Sequence, residues 1–168
     1  MPFSIPEEFL KDILGEEEDT NGVLLDEEVM DFCNKEMGNV VLSMDGRRDT
    51  HDRMRHSKSG GGTYDMIMDN FRALVDSRLK NAERSSEYYM RGTYTAYNKD
   101  FAADVMAMAD LGFRETSIEP VVSDPDVPYA LHEEDLPQLY DEYEKLALEM
   151  LEREKRGEGF SFYHYTVD

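Results

Sequence analysis

The sequence has little of the chemistry on which cross-linked, secreted or membrane proteins depend. Among its 168 residues there is one cysteine, Cys33, and no tryptophan. A single cysteine excludes an intramolecular disulfide, which is consistent with a reducing cytoplasm. No stretch approaches the roughly 20 apolar residues that a membrane span needs. Residues 1–18 contain one lysine and no long apolar run, unlike a secretory signal. These absences predict a cytoplasmic protein.

Positive charge is also scarce. Eighteen Lys and Arg stand against thirty-eight Asp and Glu, which gives a formal net charge of -20. Such a charge repels nucleic acid and anionic membranes, so we expect neither as a partner. Hydrophobic residues still make up 40% of the chain, and its length fits one domain. We predict one folded domain over residues 20–168, preceded by a distinct segment, residues 1–19.

From residue 20 onward, short apolar runs alternate with amphipathic segments. The amphipathic segments predict helices that begin after Asp26, after Thr63, at Phe101 and near Pro137, whereas residues 44–62 are predicted to be a polar loop. The apolar runs predict strands at 39–43, 88–95, 113–122 and 160–167, with a stub near 22–24. Alternation of this kind indicates an α/β fold with about four to five parallel strands. The strands form either a small open sheet or an arc of a barrel.

Polar side chains follow or end several of these strands. Ser43 and Asp45 come at the end of one strand, Arg91 lies on the next, and Glu119 lies near the end of a third. Ligands of parallel α/β proteins bind at the carboxyl ends of the strands, so these groups are candidates for a small polar ligand. The alternative is that Arg91 is a rim charge paired with Glu119.

A locally basic segment, residues 47–55, interrupts the acidic chain. It is either a clamp for an anion or a peptide, or a solvated loop with internal ion pairs. His51 and Asp52 are adjacent, so an unrelated small enzyme that uses them as acid and base is a further alternative. The candidate side chains of the clamp are Arg47, His51, Arg53 and Arg55.

Several motifs are more specific in their order than any of them is alone. They are Thr-Asn-Gly-Val-Leu-Leu at 20–25, Asn-Val-Val-Leu-Ser-Met-Asp-Gly-Arg at 39–47, His-Asp-Arg-Met-Arg at 51–55, Tyr-Met-Arg-Gly-Thr at 89–93, Ile-Glu-Pro-Val-Val at 118–122, and Tyr-Ala-Leu at 129–131 before Glu-Asp-Leu-Pro at 134–137. This succession resembles the middle of the barrel of radical S-adenosylmethionine (SAM) peptide maturases that carry SPASM domains. It most resembles thioether-forming SCIFF peptide maturases, over residues 20–168.

The resemblance implies a partial (β/α) barrel that binds SAM and a [4Fe–4S] cluster. In the family, SAM cleavage gives a radical that abstracts hydrogen from a peptide residue, to which a cysteine sulfur then bonds. By the same resemblance, Ser43 and Asp45 lie near the SAM ribose and methionyl group, and Arg91 meets the methionyl carboxylate. Asn21 ends a neighbouring strand, and Glu119 lies near the adenine.

The sequence departs from the family at three places. The Cys-x₃-Cys-x₂-Cys motif, the Gly-Gly-Glu-Pro motif and the cysteine-rich C-terminal domain are absent from these 168 residues. Since a [4Fe–4S] cluster needs several thiolates, we expect no cluster, no metal ligands and no catalytic residues on this chain alone. It resembles a truncated piece of such a maturase, inactive alone.

The alternative is a non-enzymatic module that binds a peptide or small ligand. Open sheet edges predict self-association or a partner chain.

Overall fold

The protein is built on one sheet of five parallel strands. The computed structural model describes residues 17–81 and 87–165, with side chains from Thr20 onward. The strands are β1 (Glu17–Thr20), β2 (Asn39–Ser43), β3 (Tyr88–Tyr94), β4 (Glu115–Pro120) and β5 (Ser161–Phe162). They lie side by side in chain order, β1-β2-β3-β4-β5, and every neighbouring pair is parallel. The predicted α/β fold with four to five parallel strands is confirmed.

Five α-helices connect or follow these strands. They are α1 (Glu27–Glu36), α2 (Arg48–Met54), α3 (Tyr64–Leu79), α4 (Phe101–Asp110) and α5 (Leu136–Lys155), with 3₁₀ turns at Glu133–Asp135 and Tyr163–Tyr165. Asp26 begins α1 as predicted, because its Oδ1 accepts a hydrogen bond from the N–H of Val29 at 2.9 Å. Pro137 lies in the first turn of α5, where its missing N–H costs nothing.

Among the described residues, the connected apolar core lies on one face of the sheet. On β3, Met90 and Tyr94 are buried, whereas the alternate residues Arg91 and Thr93 are half-buried and point the other way. Right-handed crossovers between neighbouring parallel strands in chain order place the connecting helices on the same side. A single core accordingly joins the strands to α1, α3, α4 and α5. The sheet is therefore an arc of a barrel, with an outer helical layer and an inner face that these helices leave uncovered.

Two elements were predicted wrongly in the first half of the chain. The polar loop predicted over 44–62 contains α2, whose one buried residue is His51, so no apolar periodicity reveals it. The stub predicted near 22–24 is a turn, and the strand is instead the acidic β1, paired with β2 from Glu17 opposite Asn39. Residues 1–16 of the predicted N-terminal segment lie outside the described residues.

The later elements are shorter or differently capped than predicted. The strand predicted over 113–122 is limited to β4, and the one over 160–167 is reduced to two residues followed by a 3₁₀ turn, with 166–167 outside the described residues. Thr63 precedes α3 without capping it. Its hydroxyl donates instead to the carbonyl oxygen of Arg55, while Asp52 Oδ1 accepts from the N–H of Tyr64 at 2.8 Å.

Within the described ranges, no helix combines the length and the apolar character needed to cross a bilayer. β1 and β5 are the outermost strands of the sheet. Self-association through these edges stays a prediction.

Candidate functional site

The inner face of the sheet carries a polar patch. The pairing register places Ser43 opposite Arg91, and Arg91 opposite Ser117, so the three residues form one row across β2, β3 and β4. One step further along the strands, Thr93 lies opposite Glu119. Because side chains two residues apart on a strand share a face, both rows point inward. We call the following set the inner-face patch: Ser43, Tyr89, Arg91, Thr93, Ser117 and Glu119.

An exposed ion pair lies at the centre of this patch. Nη2 of Arg91 donates to Oε2 of Glu119 at 2.9 Å, and the two side chains are 42% and 37% exposed. The sequence left two alternatives for Arg91, a ligand site or a pair with Glu119, and the structure shows the pair. An ion pair this exposed contributes about 0–1 kcal/mol, so a ligand can open it at little cost.

Aromatic side chains border the patch on the β5 side. The rings of Tyr89 and Tyr163 are stacked, with centroids 6.0 Å apart and an interplanar angle of 14°. Ser117 is buried, and its Oγ lies 3.3 Å from Nε2 of His164. Sequence reasoning did not identify this border, because it predicted residues 160–167 as one strand, whereas Tyr163 and His164 lie in the short turn after β5.

Asp45, another residue predicted to contact SAM, is hydrogen-bonded within the rim, by which we mean the segments that follow the strands at the carboxyl edge of the sheet. Its side chain is buried, and its carboxylate accepts from Nε and Nη2 of Arg55 at 2.8 and 3.1 Å. A third bond comes from the N–H of Thr93 at 2.9 Å. These bonds tie the segment after β2 to the end of β3. Asp45 and Arg55 therefore help to hold the backbone of the rim in position.

His51 is also buried in the rim, and both of its ring nitrogens have hydrogen-bond partners there. It is fully buried, its Nδ1 accepts from the N–H of Asp45 at 3.3 Å, and its Nε2 lies 3.0 Å from Thr63 Oγ1. Since the Thr63 hydroxyl donates to the carbonyl of Arg55, Nε2 must carry the hydrogen. The ring is thus neutral, and burial lowers the pKa of the imidazole below its ordinary value. A solvent-facing acid–base role for His51 has no support in this geometry.

Two glycines allow the rim to close over β3. A Cβ on Gly92 would lie 2.6 Å from the carbonyl oxygen of Met44, so only glycine lets the chain after β2 pass this close. Gly46 has a φ of +107°, and a Cβ there would lie 2.3 Å from Cβ of Asp104 on α4. Sequence reasoning missed both roles, although a glycine inside an apolar strand is a signal of close backbone approach.

Arg47 is fixed against α4. Its Nε donates to Oδ1 of the buried Asp104 at 2.7 Å, and Nη2 donates to Asp100 Oδ1 at 3.0 Å. Both hydrogen bonds raise the pKa of Arg47 above its ordinary value, and the bond to Asp104 has the larger effect. Asn98 joins the group through its Nδ2, 3.1 Å from Asp104 Oδ2. Arg47 is therefore ion-paired, but with partners outside residues 47–55 and not within the segment as the solvated-loop alternative supposed.

Arg53 and Asn21 lie at the same edge of the sheet. Arg53 is exposed, and its guanidinium carbon lies 5.3 Å from the ring centroid of Tyr97. Asn21 follows β1 in an exposed turn, where its Oδ1 accepts from the N–H of Val23 at 3.2 Å. The structure thus brings Ser43, Arg91 and Glu119 together on the inner face and leaves Asn21 at its margin.

The described residues do not fit an iron–sulfur cluster. Cys33 is buried in the core on the outer side of the sheet, opposite the inner-face patch. Across residues 17–81 and 87–165, no three His, Cys, Asp or Glu side chains converge as metal ligands. The residues that do fit a ligand are the hydroxyls and opposite charges of the inner-face patch, which suit a small polar molecule with hydroxyl and charged groups.

Sequence comparison identifies no relative, since neither protein-family models nor curated proteins give a significant match. Structural comparison finds solved structures with a similar fold. Native anSMEcpe with bound AdoMet (SAM) and the Kp18Cys peptide matches with a TM-score of 0.72 at 19% identity, over 88% of this chain and 40% of that one. Native anSMEcpe with bound AdoMet alone matches with a TM-score of 0.70 at 19% identity, over 88% and 39%.

The anSMEcpe structures are radical SAM barrels. This chain spans about 40% of the length of these matched chains. The expectation of a partial barrel is confirmed: the described part of the protein shares the fold of part of the barrel of the anSMEcpe structures.

Proposed function

We propose that the inner-face patch binds SAM and that the chain provides the SAM-binding arc of a peptide-modifying enzyme of the radical SAM type. The observation that carries the proposal is the row Ser43–Arg91–Ser117 with the Arg91–Glu119 pair, on the sheet face opposite the described helices. The similar anSMEcpe structures, with bound AdoMet, support the choice of ligand.

The charges of the patch are complementary to the amino-acid end of SAM. That end has a carboxylate and an ammonium group on one carbon, and Arg91 and Glu119 present the opposite charges side by side. The carboxylate would bind Arg91 through charge-assisted hydrogen bonds, while Glu119 turns to the ammonium group and not to the adenine, near which the family resemblance alone would put it. The hydroxyls of Ser43 and Thr93 lie beside this pair and can bond the ribose hydroxyls. Since the ion pair is exposed, its opening costs little.

The proposal assigns binding and orientation of SAM to this chain, without its cleavage. Reductive cleavage of SAM requires an iron–sulfur cluster, and the described residues bring no set of thiolates to the inner face. Cys33 is the one cysteine of the 168 residues, so the thiolates would have to come from outside this sequence. The SCIFF-like specificity for thioether formation stays a prediction from the sequence. A peptide as the second ligand is supported by the anSMEcpe structure that contains one.

Calorimetric titration of the purified chain with SAM tests the proposal. Replacing Arg91 by glutamine removes the charge that receives the carboxylate, so we expect the affinity for SAM to fall about tenfold or more. 5′-Methylthioadenosine, which lacks the amino-acid end, should bind the native chain and Arg91→Gln equally. Arg72→Gln, a change of equal charge at an exposed position of α3, is the matched control.

Two results would overturn the assignment. One is the absence of any SAM binding by the correctly folded native chain. The other is an equal affinity of Arg91→Gln and Arg72→Gln for SAM, which would show that the pair at the centre of the patch does not receive the ligand.

A further inference from the structure

A second concave surface lies at the carboxyl edge of the sheet, between α2 and the loop that follows β3. It is a groove of about 490 Å³. Its walls are contributed by residues of both elements, and those used below are Arg47, Arg48, Arg53, Tyr97 and Asp100. The groove belongs to the rim and not to the inner-face patch, because the two sets of residues do not overlap.

The groove is rich in arginine although the protein is strongly negative. Its lining contains three arginines, Arg47, Arg48 and Arg53, and two aspartates, Asp49 and Asp100. The chain as a whole has a net charge of -20. An arginine that is not neutralised by a carboxylate favours an anionic group on such a surface, and the surrounding acidic surface disfavours polyanions such as nucleic acid.

The three arginines are not equivalent. Arg47 is neutralised by Asp100 and Asp104, and Arg48 pairs with Asp65 at an exposed position. Arg53 makes no carboxylate contact with any part of the chain that the structure describes, and lies instead over the ring of Tyr97. Its guanidinium donors are therefore available to an incoming carboxylate.

An aromatic wall extends the groove beside Arg53. Tyr97 is 44% exposed, and its ring meets that of Tyr129 edge to face, with centroids 6.5 Å apart. The N–H of Ala96 donates to the carbonyl of Tyr129 at 3.0 Å, which fixes the two loops to each other. The series Arg53–Tyr97–Tyr129 thus joins α2 to the loops that follow β3 and β4. A cation and two adjacent rings exceed what a single small anion can contact.

We propose that this groove binds an extended peptide segment in which a carboxylate side chain lies next to an aromatic residue. The carboxylate accepts hydrogen bonds from Arg53, and the adjacent ring packs on Tyr97. A peptide is favoured over a free small anion because it can occupy the charge and the aromatic wall together. The inference goes beyond SAM binding and does not depend on it.

Fluorescence anisotropy with two labelled peptides tests this inference on the whole chain. One peptide is Ser-Gly-Asp-Tyr-Gly-Ser, and the other has Asn in place of Asp. We expect the Asp peptide to bind the native chain about tenfold more tightly than the Asn peptide, and Arg53→Gln to abolish the difference. Tyr97→Leu should weaken both peptides.

The matched control is Lys58→Gln, which removes the same charge from an exposed position outside the groove and should change the affinity less than twofold. Equal binding of the Asp and Asn peptides to the native chain would refute the proposal. So would an equal loss in Arg53→Gln and Lys58→Gln. Titration of the same native chain with SAM, run in parallel, separates failure of this site from failure of SAM binding.

Discussion

Arg78 on α3 is buried to 1% exposure, and its replacement provides a quantitative test of how the arc is held together. Its Nη1 donates to the carbonyls of Gly38 and Glu87 at 2.8 and 2.7 Å. Its Nη2 donates to those of Cys33 and Met37 at 2.8 and 3.3 Å. One guanidinium therefore links the end of α1, the start of β2 and the start of β3. Its position near the last turn of α1 also suits a cation.

Replacing Arg78 by methionine keeps most of the side-chain volume and removes every donor. Leaving a buried acceptor without its donor costs about 1–3 kcal/mol. The four costs do not add fully, because the carbonyl of Cys33 still accepts from the N–H of Met37. Removal of the guanidinium also relieves the cost of burying its charge. We expect a loss of about 3–5 kcal/mol for Arg78→Met, and a smaller loss for Arg78→Lys, which keeps the charge and some of the donors.

Urea denaturation followed by circular dichroism measures this loss. With a slope of about 2 kcal/mol per molar urea for a domain of this size, the midpoint should fall by about 2 M. Arg72→Met is the control, since Arg72 is exposed on the same helix and its loss should cost less than about 0.5 kcal/mol. If Arg78→Met lost no more stability than Arg72→Met, the four carbonyl bonds would not stabilise the fold as described.

Two further predictions concern the rim. Because burial lowers the pKa of His51 in the folded state, the stability that depends on its neutral form should be complete above about pH 6.5 and lost as the pH falls through the folded pKa. His51→Asn should flatten this part of the pH dependence of the urea midpoint, and an unchanged slope would contradict the neutral assignment. Gly92→Ala should cost about 1–3 kcal/mol, because its Cβ would meet the carbonyl oxygen of Met44 at 2.6 Å. Gly61→Ala, where the nearest atom lies 3.8 Å away, should leave the thermal midpoint nearly unchanged, and equal shifts in the two variants would contradict the close approach.

The parts of the fold that could be predicted are those in which burial leaves a periodic trace. β2 is a continuous apolar run with its three central residues buried, and β3 alternates strictly. Neither α2 nor β1 has such a trace. α2 is held by polar contacts of Arg47, His51 and Asp52, and the sequence of β1 is Glu-Glu-Asp-Thr. Their positions are set by tertiary contacts, which local propensity does not report.

The candidate site shows the same division. The rule that ligands lie at the carboxyl ends of parallel strands was enough to single out Ser43, Arg91 and Glu119, which the register brings together. It could not show that Asp45 is hydrogen-bonded within the rim, because those bonds depend on distant partners, Arg55 and the N–H of Thr93. Polarity in a sequence marks both ligand groups and the bonds that hold a rim in place, and only geometry distinguishes the two.

The identity of strand order and chain order has a consequence for how this protein acquires its structure. Each strand pairs with the strand that precedes it in the chain, so no pairing has to wait for a distant segment. Loop closure is then required only between successive strand–helix units, which keeps the entropic barrier of each step low. The arc can therefore grow unit by unit, and a nascent chain emerging from the ribosome could complete each pairing soon after the next strand is synthesised.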